Sequence, residues 1–179
     1  LMEKRHAVEM KIEGRKLVGY AAVFNQETRI ADFHERIAPG AFKNSLASNG
    51  DILALVDHDP TKVLARTKSG TLSLSEDERG LRFELSVPET TLGRDLLEMA
   101  KRSDLGGMSF GFHVPDGGDV WTGDRRELRN VALHEVSVIN SVPAYAGTTV
   151  QARSRASLTR TANERRIALL ELESAHVAV

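Results

Sequence analysis

Gly106-Gly107-Met108-Ser109-Phe110-Gly111-Phe112-His113-Val114, residues 106–114, frames one serine with glycines, and its reading decides the fold. Gly107, Ser109 and Gly111 match the Gly-x-Ser-x-Gly spacing of a nucleophile elbow, which requires a strand running straight into a helix. Here Phe110–Val114 continues as strand, and the strongest helical segment lies before the serine. The order of partners also fails, because that architecture places an acid before its histidine, whereas here Glu135 follows His134. The serine therefore belongs to a β-rich fold. It is either a small polar residue packed in a strand or a nucleophile whose flanking glycines keep the backbone clear.

Working outward, Thr91–Arg102 is the clearest helix, with Thr90 or Thr91 able to cap it and Leu92, Leu96, Met99 and Ala100 on one face. Residues 6–13 alternate apolar and polar, Gly14-Arg15 turns the chain, and Lys16–Phe24 returns as the second strand of a hairpin. Glu35–Ile37 is a short extended piece, and Gly40–Ser48 a short helix ended by Asn49-Gly50. Asp51–Val56, Val63–Thr67, Thr71–Ser75 and Leu81–Val87 read as strands. After the serine come a turn-rich loop, 115–123, and a final strand within 126–139. This pattern predicts an α+β domain built on a closed, mostly antiparallel β-barrel with helices around it. Residues 1–150 form that domain; 151–179 are expected to be a polar linker and a C-terminal helix outside it.

Composition narrows the function. The 179 residues are enough for one domain with its own core. A formal net charge of −1 without a basic run argues against binding to nucleic acid or an anionic membrane. No apolar stretch approaches the ~20 residues of a membrane span, and Leu1–Met10 lacks the apolar core of a signal peptide, so a cytoplasmic protein is expected. With no cysteine there can be no thiolate nucleophile or thiolate–zinc site. The six histidines show no metal-ligand spacing, so no metal or other cofactor is expected.

Two further groups are candidates for chemistry. His58 follows an apolar strand and sits between Asp57 and Asp59, whose carboxylates favour a charged imidazole. The alternative is a solvated turn capped by the aspartates. Along Leu133–Ile139, period-two alternation puts Leu133, Glu135, Ser137 and Ile139 on one face, and His134, Val136 and Val138 on the other. A glutamate buried in such a strand needs a partner, and a histidine can supply it. The alternative is an edge strand with Glu135 in solvent.

Taken in order, these segments resemble the prohead (procapsid maturation) serine proteases of tailed bacteriophages. The resemblance spans about residues 3–150. It rests on Gly19–Asn25, Glu35–Phe42 (ERIAPGAF), Leu55–Pro60 (LVDHDP), Gly106–Phe112 (GGMSFGF) and Leu133–Ala144 (LHEVSVINSVPA). One departure is Leu64-Ala65-Arg66, where the family often has Leu-Gly-Arg. The family is similar in fold to the herpesvirus assemblins, whose triad runs His, Ser, His along the chain.

The resemblance implies a serine endopeptidase in which Ser109 is the nucleophile and His58 the base. Glu135 (or His134) would be the third member, and Gly107 and Gly111 would make room for substrate backbone. Ser109 and His58 are expected on neighbouring strands, and one oxyanion donor in the loop Asn140–Ala144. It further implies, as partners, the major capsid protein with its scaffold segment, the protease itself through self-processing, and further copies in a homo-oligomer. The work would be done in the host cytoplasm inside the assembling prohead. The rival is a non-catalytic capsid or scaffold protein that retains the barrel.

Overall fold

The structure, a computed structural model, describes residues 2–7, 9–48 and 50–140. The expected linker and C-terminal helix at 151–179 lie outside them. Among the described residues the chain forms thirteen strands and two short helices. In order these are β1 (Glu3–Ala7), β2 (Glu9–Glu13), β3 (Lys16–Val23), β4 (Thr28–Ile30), β5 (Phe33–Ile37), α1 (Lys43–Ala47), β6 (Leu53–Val56) and β7 (Asp59–Arg66). They continue with β8 (Leu72–Glu76), β9 (Gly80–Ser86), α2 (Thr91–Lys101), β10 (Gly107–His113), β11 (Asp119–Thr122), β12 (Arg125–Leu128) and β13 (Ala132–Ile139).

The strands are mostly antiparallel and fall into three sheets, ordered β1-β10-β13-β6-β7, β11-β12-β5-β4 and β2-β3-β9-β8. Two pairs are parallel, β13 with β6 and β12 with β5. The expected strand 6–13 is divided. β1 pairs with β10, whereas β2 makes the hairpin with β3, so the chain changes sheets between them. The expected loop 115–123 also holds structure: β11 and β12 form a hairpin through Gly123-Asp124, with Gly123 at φ 63°, a left-handed position suited to glycine.

The core lies on one face of the five-stranded sheet. Met108, Phe110 and Phe112 of β10 and Val136 and Val138 of β13 point into it, where Phe110 stacks on Phe112 and meets the edge of Phe42. Each such buried side chain contributes about 1.5–3 kcal/mol through burial. α2 packs Leu96 and Leu97 inward, and the Thr90 hydroxyl caps it by accepting from the Gly93 amide at 3.2 Å. Pro60 is accommodated because β7 is an edge strand. Ala65 is buried opposite Ala54, so a side chain is tolerated where the resembling family often has glycine.

Candidate active site

Three adjacent strands build the site. β10 and β13 pair Ser109 with Ser137 and Gly111 with Glu135, so these residues share the face opposite the core. β6 lies beside β13 and ends in the turn that carries His58. Ser109 and His58 are thus not on neighbouring strands, as the sequence reading expected, because β13 runs between them.

The turn holding His58 has an unusual backbone. Val56 pairs with Asp59, leaving Asp57 and His58 as a two-residue loop with φ of 51° and 60°. Both values belong to a type I′ hairpin turn, normally given to Asn-Gly or Gly-Gly. Non-glycine residues there cost on the order of 1–2 kcal/mol each. Compensation is visible on Asp57. Its amide donates to the Val138 carbonyl at 2.9 Å, and its carboxylate accepts from the Asn140 amide and from Asn140 Nδ2, each at 2.9 Å. The same bonds engage the donors of Asn140, leaving 141–144 of the expected oxyanion stretch, which lie outside the described residues.

His58 Nδ1 lies 2.6 Å from Glu135 Oε1, both side chains being largely buried. A carboxylate only accepts, so Nδ1 carries the proton and Nε2 is left as the basic nitrogen. Glu135 Oε2 accepts from the Ser137 hydroxyl at 2.5 Å, and Ser137 Oγ in turn accepts from the His58 amide at 3.2 Å. Ser109 is 3% exposed, and its hydroxyl donates to the Arg5 carbonyl of β1 at 2.6 Å.

His134 is elsewhere. Gly111 pairs with Glu135 and Phe112 with Leu133, so His134 is the extra residue of a β-bulge. The bulge turns Leu133 to the core face instead of the Glu135 face predicted from strict alternation. His134 is exposed, and its Nε2 meets His113 Nδ1 at 2.6 Å.

The two glycines differ in role. A Cβ on Gly111 would stand 2.3 Å from Glu135 Oε1, so the space expected for substrate holds that carboxylate. Gly107 has φ of 119°, a conformation that side chains of L-residues rarely allow.

On the opposite face a buried ionic cluster anchors β1. Arg5 bonds Glu35 at 2.5 and 2.8 Å and Glu3 at 2.9 Å, with its guanidinium over the Phe112 ring. Arg126 reaches Glu3 at 2.6 Å, Glu35 at 3.1 Å and Asp119 at 2.7 Å. Burial by itself would raise the Glu3 carboxyl, but Arg126 and then Arg5 outweigh it and hold it below its ordinary 4.5. Burial likewise opposes the charge on Arg5 and Arg126, and the surrounding carboxylates prevail, raising both. Nothing in residues 3–7 (EKRHA) signals this cluster, because charged residues in a strand read as a solvent face.

Among the described residues, no group of three or more His, Asp or Glu side chains could hold a metal ion, and no helix is long and apolar enough to cross a membrane. The family model for the Caudovirus prohead serine protease matches residues 4–163. The prohead protease of Enterobacteria phage HK97 is 37% identical over 123 residues, which cover 67% of this chain and 52% of that relative. The chain thus spans about half the length of the curated relative it matches. No solved structure matches it.

Proposed function

Because the chain belongs to the Caudovirus prohead serine protease family, we propose that Ser109, His58 and Glu135 are the catalytic triad of a serine endopeptidase. The observation that carries this reading is the 2.6 Å bond from His58 Nδ1 to Glu135, on the face shared with Ser109. It fixes the imidazole tautomer and leaves Nε2 free to take the serine's proton.

The Ser109 hydroxyl first turns from the Arg5 carbonyl toward Nε2 by a change of χ1 rotamer. As Oγ attacks the scissile carbonyl, His58 takes the proton; it then delivers that proton to the leaving amine. Glu135 stabilises the imidazolium formed between these steps. Water, deprotonated by the same nitrogen, releases the acyl group. The oxyanion needs backbone N–H donors. Gly107, at the start of the serine's strand, is the glycine we assign to substrate backbone on that reading.

The substrates are scaffold segments of the major capsid protein and the protease itself, cut by a homo-oligomeric enzyme inside the assembling prohead in the host cytoplasm. We also read the sheets as parts of one closed, assemblin-like barrel with the helices outside. In its favour, the edges of the five-stranded sheet both lie against the β2-β3-β9-β8 sheet, β1 on β3 and β7 on β8 and β9. The rival, a non-catalytic capsid component, draws on the burial of Ser109 and its bond to Arg5.

Co-expression with the capsid protein, followed by mass mapping, separates the two. Cuts in the capsid protein, and a truncation of the protease between 151 and 161, should appear with the wild type and vanish with Ser109→Ala. Identical masses from both would refute the triad.

A further inference from the structure

We infer that Ser137 is a positioning residue of this site, holding the Glu135 carboxylate and the His58 backbone in the arrangement that aims Nε2 at Ser109. The inference rests on the proposed triad and adds a fourth member to it. Ser137 is fully buried on the central strand of the sheet, directly opposite Ser109.

A buried serine in a strand commonly satisfies itself on a backbone carbonyl of the neighbouring strand, as Ser109 does with Arg5. Ser137 instead joins two parts of the site. Its proton goes to Glu135 Oε2 at 2.5 Å, and its oxygen accepts the His58 amide at 3.2 Å.

The consequence lies in the geometry of the carboxylate. Glu135 presents Oε1 to the imidazole, and the Ser137 bond on Oε2 fixes the rotation of the carboxylate plane. Without that bond Oε2 is a buried acceptor lacking its partner, and the carboxylate can turn to seek another. The second bond ties the same hydroxyl to the strained turn, so the ring's backbone and its acid partner are referenced to one atom. Ser137 touches neither substrate nor the serine's proton in this scheme; it acts through Glu135 and His58.

The test compares full-length wild type, Ser109→Ala, Glu135→Gln, Ser137→Ala, Ser137→Thr and the double variant Glu135→Gln/Ser137→Ala. Labelling of Ser109 by a fluorophosphonate and cleavage of a peptide spanning a mapped capsid cut site are the readouts. Ser137→Ala should lower kcat about ten- to a hundredfold, the span for loss of a hydrogen bond to a charged group, with KM little changed. Ser137→Thr, which keeps the hydroxyl, should recover most of the rate. In the Glu135→Gln background the alanine change should have little further effect, because the partner it acts through is already altered.

Should Ser137→Ala not fold, Ser137→Cys keeps the volume with a much weaker donor and reads the same loss. Wild-type kcat in Ser137→Ala, or an equal loss in both backgrounds, overturns the positioning role while an inactive Ser109→Ala leaves the triad standing. Full activity in Ser109→Ala overturns both.

Discussion

Substituting Gly111 with alanine should lower both catalysis and stability. The added Cβ would lie 2.3 Å from Glu135 Oε1, 3.1 Å from its Cδ and 3.1 Å from Met2 Sδ. Carbon–oxygen contacts settle more than about 1 Å farther apart than the first of these, so the carboxylate has to move by roughly that amount. It has no free direction, because Oε1 is held by His58 and Oε2 by Ser137. Moving it breaks the imidazole bond, worth about 1.5–3 kcal/mol as a bond to a charged group, or roughly ten- to a hundredfold in kcat. The folded state loses that bond but gains about 0.5–1 kcal/mol because alanine is the better strand residue. The net loss of about 0.5–2.5 kcal/mol should lower the melting temperature by roughly 1–10 °C beside the fall in rate. Peptide cleavage and thermal unfolding of the same preparation check both. Wild-type kcat in a folded Gly111→Ala protein would show that the carboxylate position does not govern the rate.

His58→Ala should abolish processing and fluorophosphonate labelling, whereas Glu135→Gln should retain weak activity, since an amide can orient the ring without stabilising its charge; progress curves with the capsid peptide distinguish them. Arg126→Ala leaves two buried carboxylates, Glu3 and Glu35, sharing the single guanidinium of Arg5, and should destabilise the fold by about 3–5 kcal/mol, read as a reduced denaturant midpoint. Because the Glu3 carboxyl is held below 4.5 in the folded state, the stability it adds is complete above that pH and is lost as pH falls through the lowered value. Glu3→Gln should accordingly flatten the acid side of the stability profile, measured as denaturant midpoints from pH 6 down to pH 3.

The elements that follow local rules were legible in the sequence. The strands read at Lys16–Phe24, Thr71–Ser75 and Leu81–Val87, the capped helix α2 and the Gly-framed serine strand sit within about two residues of where pattern alone puts them, whereas the expected strand 6–13 is divided and β7 begins at Asp59, well before the expected Val63. The face shared by Glu135 and Ser137 was also readable, because period-two alternation holds there. It fails two residues earlier, where the bulge at His134 inserts a residue and turns Leu133 the other way. No local signal announces a bulge, since it depends on what the opposite strand, β10, offers. The same applies to Arg5, Glu35 and Arg126. Each reads as a surface charge until the chain brings them together across three sheet elements, and only then can their burial be compensated. The β11–β12 hairpin was hidden for a different reason: Pro115, Gly117, Gly118 and the aspartates around them dominate the composition of 115–123.

The position of β13 bears on when the proposed triad can first assemble. It is the last described strand in chain order and also the middle strand of the five-stranded sheet, flanked by β10 with Ser109 and β6 with His58. While a chain is being synthesised, the strands bearing the nucleophile and the base emerge with no shared neighbour to hold them together. Their alignment depends on a parallel pairing between residues far apart in sequence, Glu135 with Leu53 and Val138 with Val56, which is slow to form because a long loop has to close first. On the proposed triad, the nascent protein would carry its reactive groups in separated halves, and hydrolysis would be deferred until the strand that supplies the acid is inserted between them.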